Sequence, residues 1–227
     1  LSAAGLDVII VEEGPLKPRS DFKMLESEAY PALYQDSASR QTADKAIKIL
    51  QGRCVGGSTT VNWTSSFRTP PATLQWWQTA HGLKNLSVDA MAPWFAAMEQ
   101  RLHVGLWPLP PNDNTAALAR GAAQLGIPVA VIPRNVKMCW NLGYCGMGCP
   151  TNAKQSMLLT TIPAALTRGA TLISRLRAEK LEFSGNKAVA LEAVALKPDG
   201  LLPSGIQVSL RARHFVLAGG AINTPAL

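Results

Sequence analysis

The chain has 227 residues, of which 47% are hydrophobic and 16% are charged, so a sizeable core is expected and wholesale disorder is excluded. The 22 lysines and arginines outnumber the 15 acidic residues, which gives a formal net charge of +7. Because these cations are scattered and form no basic run, they indicate a bias toward anionic ligands and argue against nucleic-acid binding. No apolar run approaches transmembrane length, and no signal peptide is visible.

Both ends of the sequence have the character of interior segments. Residues 1–5 (LSAAG) are typical of the last turn and C-cap of a helix already under way. Residues 224–227 (TPAL) stop in the middle of an apolar pattern. We therefore expect a piece of a longer chain, and its localisation, cytoplasmic or membrane-associated, stays open.

The first predicted element is a strand over residues 6–11 (LDVIIV), which leads into Glu12 and Glu13. A continuous β-branched run is expected inside a parallel sheet that is covered on both faces. An acid at the carboxyl end of such a strand is where a dinucleotide-binding fold holds a ribose by its hydroxyl groups. The alternative is a strand followed by an exposed acidic turn, because no Gly-rich fingerprint precedes the strand in this sequence.

A glycine-rich stretch occupies residues 52–62 (GRCVGGSTTVN) and follows an extended or β segment at residues 46–50. Gly56 and Gly57 lack Cβ atoms, so a phosphate or a flat ring can approach their backbone closely. Ser58 and the two threonines after it are good N-cap residues, which predicts a helix whose free N–H groups face an anion. The alternative is a Gly-rich turn that binds no ligand.

The middle of the chain is predicted to be largely helical. Residues 72–103 indicate two helices, whose aromatic residues favour packing over a sheet rather than lining a substrate cavity. Residues 115–125 predict a further helix with a glycine cap, and residues 127–132 predict a strand. His103 is expected at a helix end, and neither it nor His214 has an acid or nucleophile partner that would make it a catalytic base.

Three cysteines lie close together in residues 139–150 (CWNLGYCGMGCP). Soft thiolates suit zinc or an iron–sulfur cluster, which makes these cysteines candidate metal ligands. The segment has no Cys-x-x-Cys pair and no nearby histidine, which argues against a standard zinc site, and Cys54 joins a ligand set only if the fold brings it close. We favour the alternative, in which the cysteines are reduced and packed in a tight glycine-rich loop, or form one local disulfide.

The last third of the chain is predicted to contain mostly strands. After a helix over residues 157–166, the sequence predicts a short strand and then three strands of an antiparallel meander, with turns at SGN and PDG. These four strands are predicted at residues 170–173, 178–183, 188–196 and 206–210. A buried strand from residue 213 is then predicted to run into the Gly219-Gly220 turn, which repeats the strand-then-glycine order of a nucleotide site.

Several of these motifs, in this order, resemble the glucose–methanol–choline (GMC) flavoprotein oxidoreductases. Residues 52–62 resemble the first family signature, and residues 220–227 (GAINTPAL) are similar to the opening half of the second. Residues 8–14 look like the family strand that carries the ribose-binding acid. The cysteine segment is similar to the branch of the family that contains the long-chain alcohol oxidases. The similarity includes residues 134–135 (RN) before the segment and residues 154–156 (KQS) after it.

The resemblance, which spans the whole chain, implies an α/β fold. It predicts a Rossmann-like, three-layer FAD/NAD(P)-binding domain with an antiparallel meander and a largely helical insertion. The two parts of this domain are expected at residues 1–70 and 158–227, and the insertion at residues 71–157. The resemblance also implies FAD as cofactor and the oxidation of an alcohol to a carbonyl by hydride transfer to the flavin. The electron acceptor stays open between oxygen, a quinone and a cytochrome, and so does membrane association.

The family's cofactor contacts carry over to particular residues of this chain. Glu12 would hold the adenosine ribose, the backbone of Ala178 would pair with the adenine, and Asn62 would lie near the isoalloxazine. The other expected cofactor-binding residues are Arg53, Gly56, Gly57, Ser58, Ala218, Gly219 and Gly220. Ser66 departs from the first signature, which usually has an alanine or an aromatic residue there. The family's catalytic histidine pair is expected beyond residue 227, so the sequence assigns no catalytic residue.

Three other interpretations stay open. In some flavin dehydrogenases of this superfamily a three-cysteine run holds an iron–sulfur cluster, and the spacing of Cys139, Cys145 and Cys149 is similar to that run. A second interpretation is a different two-dinucleotide flavoprotein, such as a ketosteroid dehydrogenase, against which the first signature argues. The third is a cofactor-free interaction domain that has kept the fold.

Overall fold

The computed structural model describes residues 1–227, which form six α-helices and seven β-strands. The helices are α1 (Glu26–Leu33), α2 (Pro71–His81), α3 (Val88–Arg101), α4 (Asp113–Gln124), α5 (Thr161–Leu166) and α6 (Gly220–Ala226). The strands are β1 (Ile9–Glu12), β2 (Val104–Gly105), β3 (Arg134–Asn135), β4 (Thr171–Ser174), β5 (Leu176–Ser184), β6 (Lys187–Leu196) and β7 (Pro203–Arg211). None of the helices combines the length and the apolar character needed to cross a membrane.

The parallel part of the fold consists of β1 and β4, which pair from Ile9 opposite Thr171 to Glu12 opposite Ser174. This pairing confirms both predicted strands and the expectation that the first lies in a parallel sheet. The expectation that the sheet is covered on both faces is wrong for β1, because Ile9 is 47% exposed and no residue of the strand is fully buried. A strand with a single neighbour lacks the packing that would bury both of its faces.

β5, β6 and β7 form the antiparallel meander that the turn residues predict. Gly185 has φ 60° between β5 and β6, and Gly200 has φ 73° between β6 and β7. Glycine adopts this left-handed conformation without strain, which explains why the turns form at these positions. Of the three strands, β6 carries most of the buried side chains, including Ala193 and Val194, because it is paired on both edges.

The main hydrophobic cluster lies beneath the glycine-rich stretch. α1 contributes Leu33, which is 2% exposed, and the stretch itself contributes Cys54 and Val61. Burying one side chain of this kind stabilises a fold by about 1.5–3 kcal/mol. The cluster therefore fixes one side of the glycine-rich stretch against α1.

Two predicted strands do not form. Residues 127–132 pair with no other segment, and Pro128 removes a backbone donor within the run. The segment from residue 213 to the Gly219-Gly220 turn is also unpaired, and Val216 in it is 73% exposed. A strand is stabilised by the ladder it makes with a neighbour, and apolar composition alone does not provide that neighbour.

The helices of the middle region form largely as predicted. α2 and α3 occupy the residues expected for two helices, and α4 ends before Gly126, which has φ 68°. Ser87 and Asn112 cap α3 and α4 by accepting backbone N–H groups with their side-chain oxygens. The prediction that the aromatic residues pack over a sheet is wrong for Trp76 and Trp94, which are 55% and 68% exposed.

Candidate functional site

The glycine-rich stretch crosses the carboxyl end of β1. The backbone N–H of Val55 donates to the carbonyl oxygen of Pro15 at 3.1 Å, just beyond the strand. A Cβ atom at Gly14 would collide with the carbonyl oxygen of Arg53, so only glycine lets the two backbones approach this closely. The crossing brings the glycine-rich stretch next to the acidic end of β1.

The centre of the stretch is a 3₁₀ turn at Gly57–Thr60, not a side-chain-capped α-helix. The prediction that Ser58 caps a helix is wrong, because the left-handed backbone of Gly56, with φ 91°, starts the turn earlier. Ser58 Oγ instead accepts the N–H of Gly52 at 2.9 Å. The N–H groups of Gly56 and Ser58 donate to no acceptor in the protein, and open space lies where a Cβ atom of Gly57 would be. Two free donors beside an open glycine suit an anionic group.

Glu12 ends β1 at this crossing and is partly buried. Its Oε1 accepts the backbone N–H of Gly14 at 2.7 Å. Burial raises the pKa of Glu12 to about 7, although the hydrogen bond from Gly14 acts in the opposite direction. A carboxyl group with one protein donor keeps acceptor capacity for the hydroxyl groups of a ligand.

Arg53 is directed into the protein. Its side chain is 6% exposed, and Nη1 donates to the carbonyl oxygen of Gly200, in the turn between β6 and β7. Nη2 donates to the carbonyl oxygen of Pro31 at 3.4 Å, and Nη1 lies 3.8 Å from Oε1 of Glu13. These partners occupy the guanidinium, so the geometry does not support a phosphate contact from its side chain. Arg53 instead joins the glycine-rich stretch to the meander.

The glycines of the second signature lie against the start of the first. Nε2 of Gln51 donates to the carbonyl oxygen of Gly219 at 3.0 Å, and Arg40 Nη1 donates to Oε1 of Gln51 at 3.1 Å. Gly220 has φ 85°, and a Cβ atom there would lie 2.8 Å from Nε2 of Gln51. The structure therefore brings Gly219 and Gly220 to the glycine-rich stretch, with Ala218 exposed just before them.

Ala178 lies in β5, which begins beside the carboxyl end of β1. The neighbouring Arg177 forms an ion pair with Glu13, with Nε 3.0 Å from Oε1, and this contact holds β5 against the end of β1. The register of β5 and β6 shifts between Ala178 and Lys180, so the backbone is irregular at this position. Ala178 and Glu12 thus belong to the same edge of the fold.

Lys154 forms hydrogen bonds with the last residues of the glycine-rich stretch. Its side chain is 3% exposed, and Nζ donates to the carbonyl oxygens of Thr60 at 2.9 Å, Asn62 at 2.6 Å and Cys145 at 2.7 Å. Burial lowers the pKa of Lys154 to about 8. The Asn62 side chain is exposed, and its Oδ1 accepts the N–H of Thr64 at 3.2 Å.

The family model for the GMC oxidoreductases matches residues 30–227. The chain belongs to this family. Over 228 residues it is 31% identical to an uncharacterised GMC-type oxidoreductase of Sinorhizobium fredii, covering 100% of the chain and 45% of that relative. Over 237 residues it is 27% identical to a long-chain-alcohol oxidase of Arabidopsis thaliana, covering 100% of the chain and 31% of that relative. The chain thus spans less than half the length of these relatives.

Solved structures share the fold of this GMC chain. The pyridoxine 4-oxidase from Mesorbium loti matches with a TM-score of 0.67 and 20% identity, covering 96% of the chain and 45% of that structure. A formate oxidase matches with a TM-score of 0.66 and 14% identity, covering 98% of the chain and 42% of that structure. The predicted α/β fold and the predicted family are confirmed.

The cysteine segment of the GMC chain does not form a ligand cluster. All four cysteines are free thiols, and no three His, Cys, Asp or Glu side chains form a group that could hold a metal ion. The candidate iron–sulfur ligands Cys139, Cys145 and Cys149 have separate neighbours, which are the N–H of Asn141 at 3.4 Å, Nη2 of Arg134 at 3.8 Å and the N–H of Lys154 at 3.4 Å. The structure therefore does not bring the three sulfurs together into one ligand set.

Sequence reasoning missed the role of Lys154 in this site. In the sequence, Lys154 is notable only as part of the KQS motif, which is similar to the branch that contains the long-chain alcohol oxidases. Two of its three acceptors, the carbonyl groups of Thr60 and Asn62, lie 94 and 92 residues away in the chain. No local pattern predicts contacts of that range, and an unusually buried lysine is visible only in three dimensions.

Proposed function

We propose that this chain is the FAD-binding portion of an oxidoreductase that oxidises the CH–OH group of an alcohol to a carbonyl. The observation that carries the proposal is the crossing of the glycine-rich stretch over the end of β1. The crossing puts two free backbone donors and a carboxyl group at one edge of the parallel strands. A dinucleotide needs donors for its pyrophosphate and an acceptor for its ribose hydroxyls, and this edge offers both.

The residues at this edge fit FAD in their chemistry. Gly56 and Ser58 have free N–H groups for a phosphate, and Gly57, with φ 56°, leaves its outer face open to a flat ligand. Glu12 retains acceptor capacity for a ribose, and the backbone of Ala178 lies at the same edge for an adenine. We propose that Ala218, Gly219 and Gly220 close over the cofactor and that Asn62 lies at its flavin end. FAD, when bound, supplies the acceptor for the hydride of the alcohol.

The proposal that the substrate is an alcohol rests on family membership and on the similarity to a long-chain-alcohol oxidase. No residue of the chain is proposed as the catalytic base. His81 packs edge-on against Trp76, with ring centroids 4.7 Å apart, and neither His103 nor His214 forms an ion pair with an acid. We propose that the residues at the edge of the parallel strands bind and orient the cofactor.

The test uses the complete gene product, purified without added flavin. We expect heat to release FAD, and we expect the oxidised-flavin absorption to bleach when a primary alcohol is added under nitrogen. A panel of short-chain to long-chain alcohols gives the substrate class, and readmitting air shows whether oxygen reoxidises the flavin. A protein that holds FAD but is bleached by no alcohol contradicts the substrate, and one that binds no FAD contradicts the proposal as a whole.

The variant Glu12→Gln tests the site itself. A hydrogen bond to a charged group is worth about 1.5–3 kcal/mol, so we expect FAD affinity to fall by roughly 10- to 100-fold. The matched control is Glu28→Gln, because Glu28 lies on the exposed surface of α1. Equal FAD affinities of the two variants would remove Glu12 from the site.

A further inference from the structure

Lys154 is a buried cation without a carboxylate partner. Its three Nζ donors are used by the carbonyl oxygens of Thr60, Asn62 and Cys145, at 2.6–2.9 Å. No carboxylate lies within 4 Å of Nζ. The ionisable groups that act on it are the thiols of the cysteines around it and the guanidinium of Arg134. The positive charge therefore bonds directly to the dipoles of three carbonyl groups and forms no ion pair.

Three carbonyl oxygens around one side-chain nitrogen need three donors, and a neutral amide supplies only two. The ammonium group supplies all three and carries the desolvation cost of a buried cation. Its charge also acts on groups beyond these hydrogen bonds. Two of the three acceptors, on Thr60 and Asn62, belong to the stretch that is proposed to contact FAD, so the charge lies directly behind that stretch.

We propose that Lys154 is a positioning residue for the flavin, which fixes the Thr60–Asn62 backbone and stabilises negative charge on the reduced cofactor. This inference rests on the proposed function. Two-electron reduction with uptake of one proton adds one negative charge to a flavin. A cation inside a protein acts on such a charge over several ångströms, because the interior screens it less than water does. Lys154 would therefore raise the reduction potential of the flavin without touching it.

The experiment measures the midpoint potential of FAD in the complete gene product and in three variants. Lys154→Gln keeps two donors and removes the charge, Lys154→Arg keeps the charge, and Lys187→Gln removes an exposed cation at the start of β6 as the matched control. We expect Lys154→Gln to shift the two-electron equilibrium roughly tenfold toward oxidised flavin, which is about 30 mV in potential. We expect the other two variants to keep the wild-type potential.

The melting temperature and the FAD dissociation constant of each variant are measured in parallel. If Lys154→Gln melts earlier but its bound FAD has the wild-type potential, Lys154 only stabilises the fold and the inference is overturned. If Lys154→Gln does not fold, the potential of Lys154→Arg tests the role of the charge. The expected result is the wild-type potential. A folded arginine variant with a potential about 30 mV more negative contradicts a role for the charge. A wild-type protein that binds no FAD overturns the proposed function, whereas an unshifted potential in Lys154→Gln overturns this inference alone.

Discussion

The side-chain amide of Gln51 donates to the carbonyl oxygen of Gly219 at 3.0 Å, across a sequence separation of 168 residues. Gln51 directly precedes the glycine-rich stretch, and Gly219 directly precedes the second signature. Arg40 reinforces the junction, because its Nη1 also donates to Oδ1 of Asn223 at 2.9 Å. The side chains of Gln51 and Arg40 thus bring the two signatures of the family into contact.

Replacing Gln51 by alanine is expected to loosen this junction. The change removes the donor to Gly219 and the acceptor for Arg40, each worth about 1 kcal/mol, so the free energy of unfolding should fall by about 1–2 kcal/mol. Urea denaturation measures the loss, and hydrogen exchange should show faster exchange in residues 213–227. Gln75→Ala, on the exposed face of α2, is the control. Equal stability of the two variants would mean that Gln51 does not hold the signatures together.

Alanine at Gly14 is expected to disrupt the crossing of the glycine-rich stretch over β1. The added Cβ atom would collide with the carbonyl oxygen of Arg53, which is backbone and cannot rotate away. We expect a loss of about 3 kcal/mol in the free energy of unfolding, measured by chemical denaturation. Gly121→Ala in α4 meets nothing within 4 Å and should stabilise the protein by up to about 1 kcal/mol. A fully stable Gly14→Ala protein would show that the crossing is looser than described.

The stability of the ligand-free protein is expected to depend on pH through Glu12. Its pKa is about 7 in the folded chain and takes its ordinary value of 4.5 in the unfolded chain. The folded state therefore binds more protons between these values, so the stabilisation from protonated Glu12 is complete below pH 4.5 and is lost as the pH rises through 7. The loss is about 3 kcal/mol at most.

Denaturation of the wild-type protein and of Glu12→Gln between pH 4.5 and 8 measures this effect. The variant cannot ionise at this position, so its stability should decline less with rising pH than that of the wild type. Glu28→Gln should keep the wild-type dependence, since Glu28 is exposed. Parallel curves for all three proteins would show that Glu12 titrates normally.

Cys54 is expected to be the unreactive thiol of the four. It is 1% exposed, and burial raises its pKa to about 12, so almost no thiolate is present at neutral pH. A thiol reagent such as DTNB should modify Cys139, Cys145 and Cys149 in the folded protein and Cys54 only after denaturation. Hydrogen bonds from Thr151 and the loop backbone lower the pKa of Cys149 despite its partial burial, so Cys149 should react fastest.

Cys54→Ala is the control for the thiol count. This variant should give the same number of modified thiols before and after denaturation, because it lacks the buried group. Four fast-reacting thiols in the folded wild-type protein would contradict the placement of Cys54 in the hydrophobic cluster.

The sequence predicted the elements whose formation depends on residues close together in the chain. The meander was predictable because the Gly185 and Gly200 turns lie within a few residues of the strands they join. Residues 127–132 were wrongly predicted as a strand, since a short apolar run does not show whether a partner strand lies alongside. The contacts of Lys154 and the inward direction of Arg53 could not be predicted, because their acceptors lie far away in the chain.

The long reach of these contacts has a kinetic consequence. Arg53 bonds to Gly200 across 147 residues, and Arg177 bonds to Glu13 across 164 residues. Contacts between such distant segments form only after large loops have closed, and they are typical of chains that fold slowly. The edge where β1 meets the glycine-rich stretch is therefore expected to be completed late in folding, after local units such as α3 and the β5–β6 hairpin.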